Sequence, residues 1–166
     1  HKYPGIRSDS DLFTFGYGWK PWEGPLIATA DEILNYLDDA LDEQNIREHI
    51  RYRHQVEDAS WSSKAKQWSL RVRDDESGEE VLFTGNFLWM CQGYYRHSEG
   101  YTPDFPGMDQ FQGRIVHPQT WPEDMDYTDR EVVVIGSGAT AATLIPAMAD
   151  DTKHITMLQR SPTYFY

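Results

Sequence analysis

One stretch decides the fold of this chain: Val132-Val133-Val134-Ile135-Gly136-Ser137-Gly138-Ala139-Thr140-Ala141. A β-branched strand runs directly into G-x-G-x-x-A at the start of a helix. The first glycine permits a tight turn, the second lets the backbone approach a pyrophosphate, and the alanine lets the helix pack on the strand. The N-terminus of the helix offers free N–H groups to phosphates. The alternative is an ordinary strand–turn–helix corner. The pattern favours dinucleotide binding, with contacts from Gly136, Ser137, Gly138, Ala139, Thr140 and Ala141.

The residues after this motif indicate which dinucleotide is bound. A strand over Glu131–Ile135, a helix over Ala139–Ala149 and a second strand over His154–Gln159 are predicted. An NAD site usually places an acid about 20 residues after the first glycine. Here Arg160 and Ser161 stand in that region, and an arginine can meet a 2′-phosphate. NADPH is therefore preferred over NADH, the alternative for Arg160 being a solvated surface charge.

The segments before the motif predict a helix and a small sheet. Residues 3–22 suggest a long ordered loop with turns at Pro4-Gly5 and Lys20-Pro21. Thr29 and Glu32 have capping-box spacing, which predicts a helix of about 15 residues that ends near Gln44-Asn45. An antiparallel meander over about 48–85 and one buried strand after it are expected from four runs: His49–Ser60, Gln67–Arg73, Glu79–Thr84 and Asn86–Cys91.

Composition narrows the class of protein. The 166 residues are 39% apolar, which is typical of a globular chain. A formal net charge of -12 argues against nucleic acid and anionic membranes as partners. The single cysteine, Cys91, excludes a disulfide within the chain and a cysteine-rich zinc site, and it fits a reducing cytoplasm. No run approaches the roughly 18 apolar residues of a membrane span, and no metal site is indicated.

A second motif gives a specific resemblance. Phe111-Gln112-Gly113-Arg114-Ile115-Val116-His117-Pro118-Gln119-Thr120-Trp121-Pro122 matches F-x-G-x-x-x-H-x-x-x-W-P at every fixed position. In this pattern, with fixed residues Phe111, Gly113, His117, Trp121 and Pro122, the chain resembles the Baeyer–Villiger monooxygenases. Flavin-containing monooxygenases share the front of the pattern, but they usually end in another aromatic residue without the proline. We call residues 111–122 the fingerprint segment.

Other segments resemble the same family. Residues 3–9 are similar to its FAD-contacting loop, and residues 91–95 are similar to a small-x-Gly turn of its FAD domain. Within the family, the chain most resembles the ethionamide-activating monooxygenase group of actinobacteria. Three stretches carry that resemblance: Ser8–Asp11, Ile115–Asp124 and Met157–Tyr164.

The resemblance implies an α/β fold containing parts of two Rossmann-like, three-layer ββα domains, with the antiparallel meander in the FAD domain. Residues 1–107 would form part of the FAD-binding domain. Residues 108–128 would form the linker between domains, and residues 129–166 the start of the NADPH-binding domain. The family's first G-x-G-x-x-G would precede His1, so we expect an incomplete piece that alone neither retains FAD nor turns over.

The resemblance also implies the chemistry. NADPH would reduce FAD, and the reduced flavin would activate O₂ for attack on a ketone or a soft sulfur, while the protein binds, orients and excludes water. Asp9 would be the catalytic residue near the flavin, although Ser8–Asp11 could equally be a turn with Asx-type hydrogen bonds. His117 would be a structural link between domains rather than a general base. Tyr94, Tyr95 and the aromatics of 19–22 receive no catalytic role.

Three other functions compete with this reading. One is an N- or S-oxygenating flavin-containing monooxygenase. A second is an NADPH-dependent disulfide reductase, which would need a pair of redox cysteines, whereas the chain has one cysteine. The third is a non-enzymatic, truncated nucleotide-binding fragment.

Overall fold

The computed structural model describes residues 3–164. An antiparallel sheet precedes a β–α–β unit in the chain, which confirms the α/β class and the meander. Within residues 3–164, the connections contain three single-turn 3₁₀ helices: Arg47–His49, Met108–Gln110 and Pro118–Thr120. The longer elements are α1 (Leu12–Phe15), α2 (Ala30–Glu43), β1 (His54–Ser62), β2 (Gln67–Asp74), β3 (Glu80–Gly85), β4 (Glu131–Ile135), α3 (Ala139–Met148) and β5 (His154–Leu158).

Helix α2 begins with the capping box that its sequence predicts. The Thr29 N–H donates to Glu32 Oε2 at 2.8 Å, and the Glu32 N–H donates to Thr29 Oγ1 at 3.3 Å. These bonds satisfy donors that a helix start leaves without an intrahelical partner. The backbone N–H of Thr29, followed by its hydroxyl, lowers the pKa of Glu32. The helix ends at Glu43, close to the expected Gln44-Asn45.

A small aromatic core sits beneath the N-terminal half of α2. Leu12, Trp22 and Ala28 are buried there, with Ile33 and Tyr36 packed against them. The expected long loop over residues 3–22 therefore contains a short helix, α1, that its sequence pattern did not reveal. The turn expected at Pro4-Gly5 is observed, whereas the second turn lies at residues 18–19, between bridge partners 17 and 20, rather than at Lys20-Pro21.

Strands β1–β3 form the expected antiparallel meander in sequence order. Leu70 in the central strand pairs with Ala59 on one side and Phe83 on the other. The first strand begins at His54 rather than His49, because a 3₁₀ turn occupies residues 47–49. A register shift between Val56 and Asp58 interrupts the β1–β2 ladder, as a bulge does.

The prediction of a strand over Asn86–Cys91 is wrong. The segment is irregular, and Phe87 and Trp89 are each 78% exposed rather than buried on both faces. An apolar run becomes a buried strand only where neighbouring strands pair with it, and the two sheets of residues 3–164 pair only β1–β3 and β4–β5.

The β–α–β unit has the parallel geometry that its motif requires. Strands β4 and β5 pair in register from Glu131↔His154 to Ile135↔Leu158. Lys153 Nζ lies 2.8 Å from Glu131 Oε1, and this pair lowers the pKa of the Glu131 carboxyl and raises that of Lys153. Right-handed connection through a helix is the usual way to join such strands.

The chain divides into two compact units. One comprises residues 41–94, with the meander, and the other comprises the residues up to 40 together with those from 95 onward. The domain boundaries inferred from the sequence stay a prediction. Within residues 3–164, every helix is too short or too polar to span a membrane.

Candidate functional site

The glycine turn between β4 and α3 is open on the side where a ligand would approach. Gly136 has a φ of +121°, a conformation that a side chain disfavours. Gly138 caps α3 with a φ of -80°, and a Cβ built on either glycine meets nothing within 4 Å. The chain itself therefore does not fill the space that these glycines leave. Ala141 is buried at 6% exposure, so its small side chain is used in packing.

The start of α3 presents donors toward this open side. Ala142 is the first residue of the helix whose N–H bonds back within it, at 3.0 Å to the Gly138 carbonyl. The N–H groups of Ala139, Thr140 and Ala141 precede that bond, as the first donors of any helix do. The N-cap residue, Gly138, makes no side-chain hydrogen bond to these N–H groups. The free donors and the positive end of the helix dipole therefore suit a pyrophosphate.

The loop after β5 returns to the same turn. The Gly136 N–H donates to the Leu158 carbonyl at 2.8 Å, which extends the sheet pairing by one residue. Ser137 Oγ and Thr163 Oγ1 lie 2.6 Å apart in a hydroxyl–hydroxyl hydrogen bond. Arg160 and Ser161 lie between these contacts and are exposed. Two contacts thus join the glycine turn to Leu158 and Thr163, which flank the predicted 2′-phosphate residues.

The loop that carries Asp9 is held by backbone pairing to the strand-like residues before α2. Ser8 N–H donates to the Ala28 carbonyl at 2.8 Å, and Ala28 N–H donates to Ser8 Oγ at 3.1 Å. Asp9 itself is exposed and accepts from Ser10 Oγ at 3.1 Å. Asp11 caps α1 by accepting from the Phe13 N–H at 2.7 Å. Residues 8–11 therefore form a bend, and the Asp9 side chain is exposed.

The same loop packs on α3. A Cβ built on Gly5 would lie 2.5 Å from Ala147 Cβ and 2.5 Å from the Thr143 carbonyl oxygen. Tyr3 Oη lies 3.5 Å from Thr143 Oγ1. The segment that resembles an FAD-contacting loop and the helix of the dinucleotide motif are thus in contact within one compact unit.

The fingerprint segment lies against residues 96–100. Gln119 Nε2 donates to the Arg96 carbonyl at 2.7 Å. The His117 ring covers Gly100 so closely that a Cβ there would lie 2.1 Å from His117 Cε1. His117 Nδ1 accepts from the Gln119 N–H at 3.1 Å, so a neutral His117 carries its proton on Nε2. His117 is therefore used to cap the 3₁₀ turn of residues 118–120.

The remaining fingerprint residues pack locally. The Phe111 ring lies over Gly113, where a Cβ would come within 2.5 Å of Phe111 Cζ. Trp121 and Tyr127 meet edge to face with ring centroids 6.2 Å apart. Trp121 and Pro122 are partly buried, whereas Phe111 is 61% exposed. The segment is thus a folded connection, with no group of three or more metal-ligating side chains among residues 3–164.

The aromatic residues left without a catalytic role fall into two environments. Trp22 is buried at 7% exposure, and Tyr36 packs on it edge to face at 5.3 Å. Tyr94 and Tyr95 are 88% and 71% exposed. Sequence reasoning overlooked Gly100 and Thr163. Gly100 contacts His117 and Thr163 contacts Ser137, and both partners are distant in the sequence. A local sequence pattern therefore predicts neither contact.

Comparison with known proteins fits this geometry. The model of the flavin-binding monooxygenase-like family matches residues 21–165. The chain is 52% identical over 165 residues to the FAD-containing monooxygenase EthA of Mycolicibacterium smegmatis, covering 98% of this chain and 33% of that protein. The chain thus spans about a third of the length of the curated relatives it matches.

Solved structures give the same family. An oxidized steroid monooxygenase bound to NADP is 33% identical with a TM-score of 0.78, covering 98% of this chain and 31% of that one. A cyclohexanone monooxygenase bound to ε-caprolactone is 27% identical with a TM-score of 0.78, covering 98% and 32%. The sequence resemblance is confirmed: the chain belongs to the flavin-binding monooxygenase-like family.

Proposed function

We propose that the protein containing this chain is an FAD-containing monooxygenase that uses NADPH and O₂ to insert an oxygen atom beside a ketone carbonyl. The observation that carries the proposal is the open glycine turn at Gly136–Gly138 with the Arg160 loop tied beside it. Family membership supplies the reaction class. The fingerprint segment, which ends in Trp121-Pro122, supports the Baeyer–Villiger type of that class.

NADPH fits the turn by several independent features. The backbone N–H groups at the start of α3 would hold the pyrophosphate, and the missing side chains of Gly136 and Gly138 would admit it. Arg160 and Ser161 would meet the 2′-phosphate, since a guanidinium forms charge-assisted bonds to phosphate oxygens. A related structure contains NADP, which supports this assignment.

FAD is assigned to the loop of residues 3–11 in the same compact unit. The relative named above is FAD-containing, and residues 3–11 form an ordered loop whose Asp9 carboxylate is exposed. The flavin, when bound, accepts hydride from NADPH and makes O₂ reactive. Asp9 would be the catalytic carboxylate beside it. The ladder of Ser8 with Ala28 fixes the loop, so Asp9 needs little reorganisation to bind or orient.

We propose the substrate class from the ligand that is bound to a related structure. The ε-caprolactone bound to a cyclohexanone monooxygenase equals cyclohexanone plus one oxygen atom. The balanced reaction would be ketone, O₂, NADPH and a proton giving ester, NADP⁺ and water. A thioamide or sulfide is the second substrate class, because residues 157–164 resemble the ethionamide-activating group. A cytoplasmic location is part of the proposal, since Cys91 is free and exposed and NADPH is a cytoplasmic reductant.

The test is steady-state turnover by the complete gene product loaded with FAD. NADPH or NADH is supplied with cyclohexanone or methyl phenyl sulfide, and ester, sulfoxide and hydrogen peroxide are quantified. We expect NADPH consumption matched by ester. Sulfoxide without ester would move the substrate class to sulfur and leave the flavoenzyme intact. No consumption of either nicotinamide by a flavin-loaded protein would refute the proposal and favour a non-enzymatic nucleotide-binding chain.

A further inference from the structure

The loop that carries Arg160 is fixed at both ends to the glycine turn. At its start, the Leu158 carbonyl accepts from the Gly136 N–H at 2.8 Å. At its end, Thr163 Oγ1 and Ser137 Oγ are 2.6 Å apart, within the usual range for O–H···O bonds. Both contacts reach consecutive residues of the same turn. The short loop between these two contacts is therefore attached at both ends to the turn that would bind the phosphates.

The second contact matters for position more than for stability. Ser137 and Thr163 are not buried, and a hydroxyl pair in such a place contributes little to the free energy of folding. Without it, however, the loop would lose the attachment to the turn at its far end and keep the one where β5 ends. Arg160 would then sample many positions, and ordering it would cost conformational entropy each time a ligand binds.

We propose that Thr163 is a positioning residue that sets the preference for NADPH over NADH. Its hydroxyl, through Ser137, holds the Arg160–Ser161 loop beside the glycine turn, where the guanidinium meets a 2′-phosphate. Thr163 itself need not touch the dinucleotide. This inference rests on the proposed function, because it assumes that the turn binds NADPH.

The effect should be confined to one part of the cofactor. The 2′-phosphate sits on the adenosine ribose, remote from the nicotinamide that gives up hydride. A looser Arg160 loop therefore weakens binding of NADPH and of its 2′-phosphorylated half, but leaves NADH binding and kcat with bound NADPH unchanged. A purely structural role for Thr163 would weaken both nucleotides together.

The experiment is calorimetric titration of the complete gene product with 2′,5′-ADP and with 5′-ADP. Thr163→Val removes the hydroxyl at nearly constant shape, Thr163→Ser retains it, and Thr84→Val makes the same change at an exposed position in β3. We expect Thr163→Val to weaken binding of 2′,5′-ADP by roughly fivefold, the cost of ordering one long side chain on binding, and to change binding of 5′-ADP by less than about twofold. Both other variants should match the parent protein.

Steady-state turnover gives the second readout. Thr163→Val should raise the KM for NADPH while keeping kcat and the KM for NADH, and Thr163→Ser should restore the KM. Unchanged 2′,5′-ADP affinity in Thr163→Val, or equal losses for both nucleotides, overturns the inference alone. Failure of the parent protein to bind 2′,5′-ADP overturns the proposed NADPH site as well.

Discussion

Gly136 and Gly138 belong to one motif but are glycine for different reasons. Gly136 has a φ of +121°, so the backbone conformation itself requires it. Gly138 has a φ of -80°, which any residue adopts, and nothing of the chain lies within 4 Å of a Cβ built there. The sequence predicted a turn role for the first and a phosphate-approach role for the second. The φ of Gly136 fits the turn role, whereas the phosphate-approach role of Gly138 stays a prediction.

This difference gives a paired prediction. Gly136→Ala should destabilise the fold by about 1–3 kcal/mol, the usual cost of forcing a side chain into an unfavourable φ. Gly138→Ala should retain the parental midpoint of thermal unfolding yet weaken NADP⁺ by about tenfold or more, because its Cβ would occupy the approach of the pyrophosphate. Thermal unfolding and calorimetric titration separate the two effects. Parental NADP⁺ affinity in Gly138→Ala would contradict the placement of the phosphates.

Gly100 is glycine because of a distant neighbour. A Cβ there would lie 2.1 Å from the His117 ring, so Gly100→Ala must displace that ring. We expect a loss of about 1–3 kcal/mol, as for other overpacked sites, measured by urea unfolding. Gly18→Ala is the matched control, since a Cβ on Gly18 meets nothing within 4 Å.

A double variant checks that His117 causes the loss. Gly100→Ala combined with His117→Ala should recover much of the stability lost by the first change, because the ring no longer occupies the space. Losses that simply add would show that the Gly100 backbone, rather than its contact with His117, is at fault. The fixed residues of the fingerprint could be read from the sequence, whereas this contact could not, since it joins residues 17 positions apart with no periodic signal.

Among the secondary-structure elements, α2 begins with the capping box that its sequence predicts. The Thr29 N–H donates to the Glu32 carboxylate, and the Glu32 N–H donates to the Thr29 hydroxyl. The first of these hydrogen bonds is strongest when Glu32 is ionised. The folded pKa of Glu32 lies below its ordinary value of 4.5. A depressed pKa contributes stability that is present above the ordinary value and is lost as pH falls through the folded value.

The capping box therefore makes a pH-dependent prediction. Glu32→Gln should lower the urea midpoint of unfolding at about pH 7, and its difference from the parent should shrink as pH falls below 4.5. Thr29→Ala should cost about 0.5–2 kcal/mol as a lost helix cap. Asp39→Asn removes one charge from the same helix without touching the box and should not reproduce the acid-dependent change. A constant difference for Glu32→Gln across this range would argue against the ionised cap.

Local patterns predicted some elements and failed for others. Periodicity and turn residues located α2, β2, β3, β4 and α3, because each of these elements is determined by its own sequence. The helix α1 was missed because four residues are too few to show a helical period. Leu12 enters the core with Trp22 and Ala28, whereas Phe13 and Phe15 are exposed. Residues 86–91 were assigned to a strand on hydrophobicity alone, yet Phe87 and Trp89 are exposed. Hydrophobicity indicates burial only when partners are present.

At the scale of the whole molecule, fold class and family were both predicted from the sequence and are confirmed. The domain boundaries inferred from the sequence stay a prediction. The compact unit that holds the glycine turn includes the residues up to 40 as well as those from 95 onward. Contacts such as Gly5 with Thr143 bring these distant residues together, and nothing in a linear sequence announces them.

We propose that the complete gene product transfers one atom of O₂ to a ketone and consumes NADPH. The most direct measurement is turnover of cyclohexanone under ¹⁸O₂ with mass spectrometry of the ester and with NADPH consumption followed in parallel. We expect a single labelled oxygen atom in each ester molecule and one NADPH consumed per ester. Unlabelled ester would contradict the proposed function. So would NADPH oxidation that yields labelled hydrogen peroxide as its sole product with both ketones and sulfides.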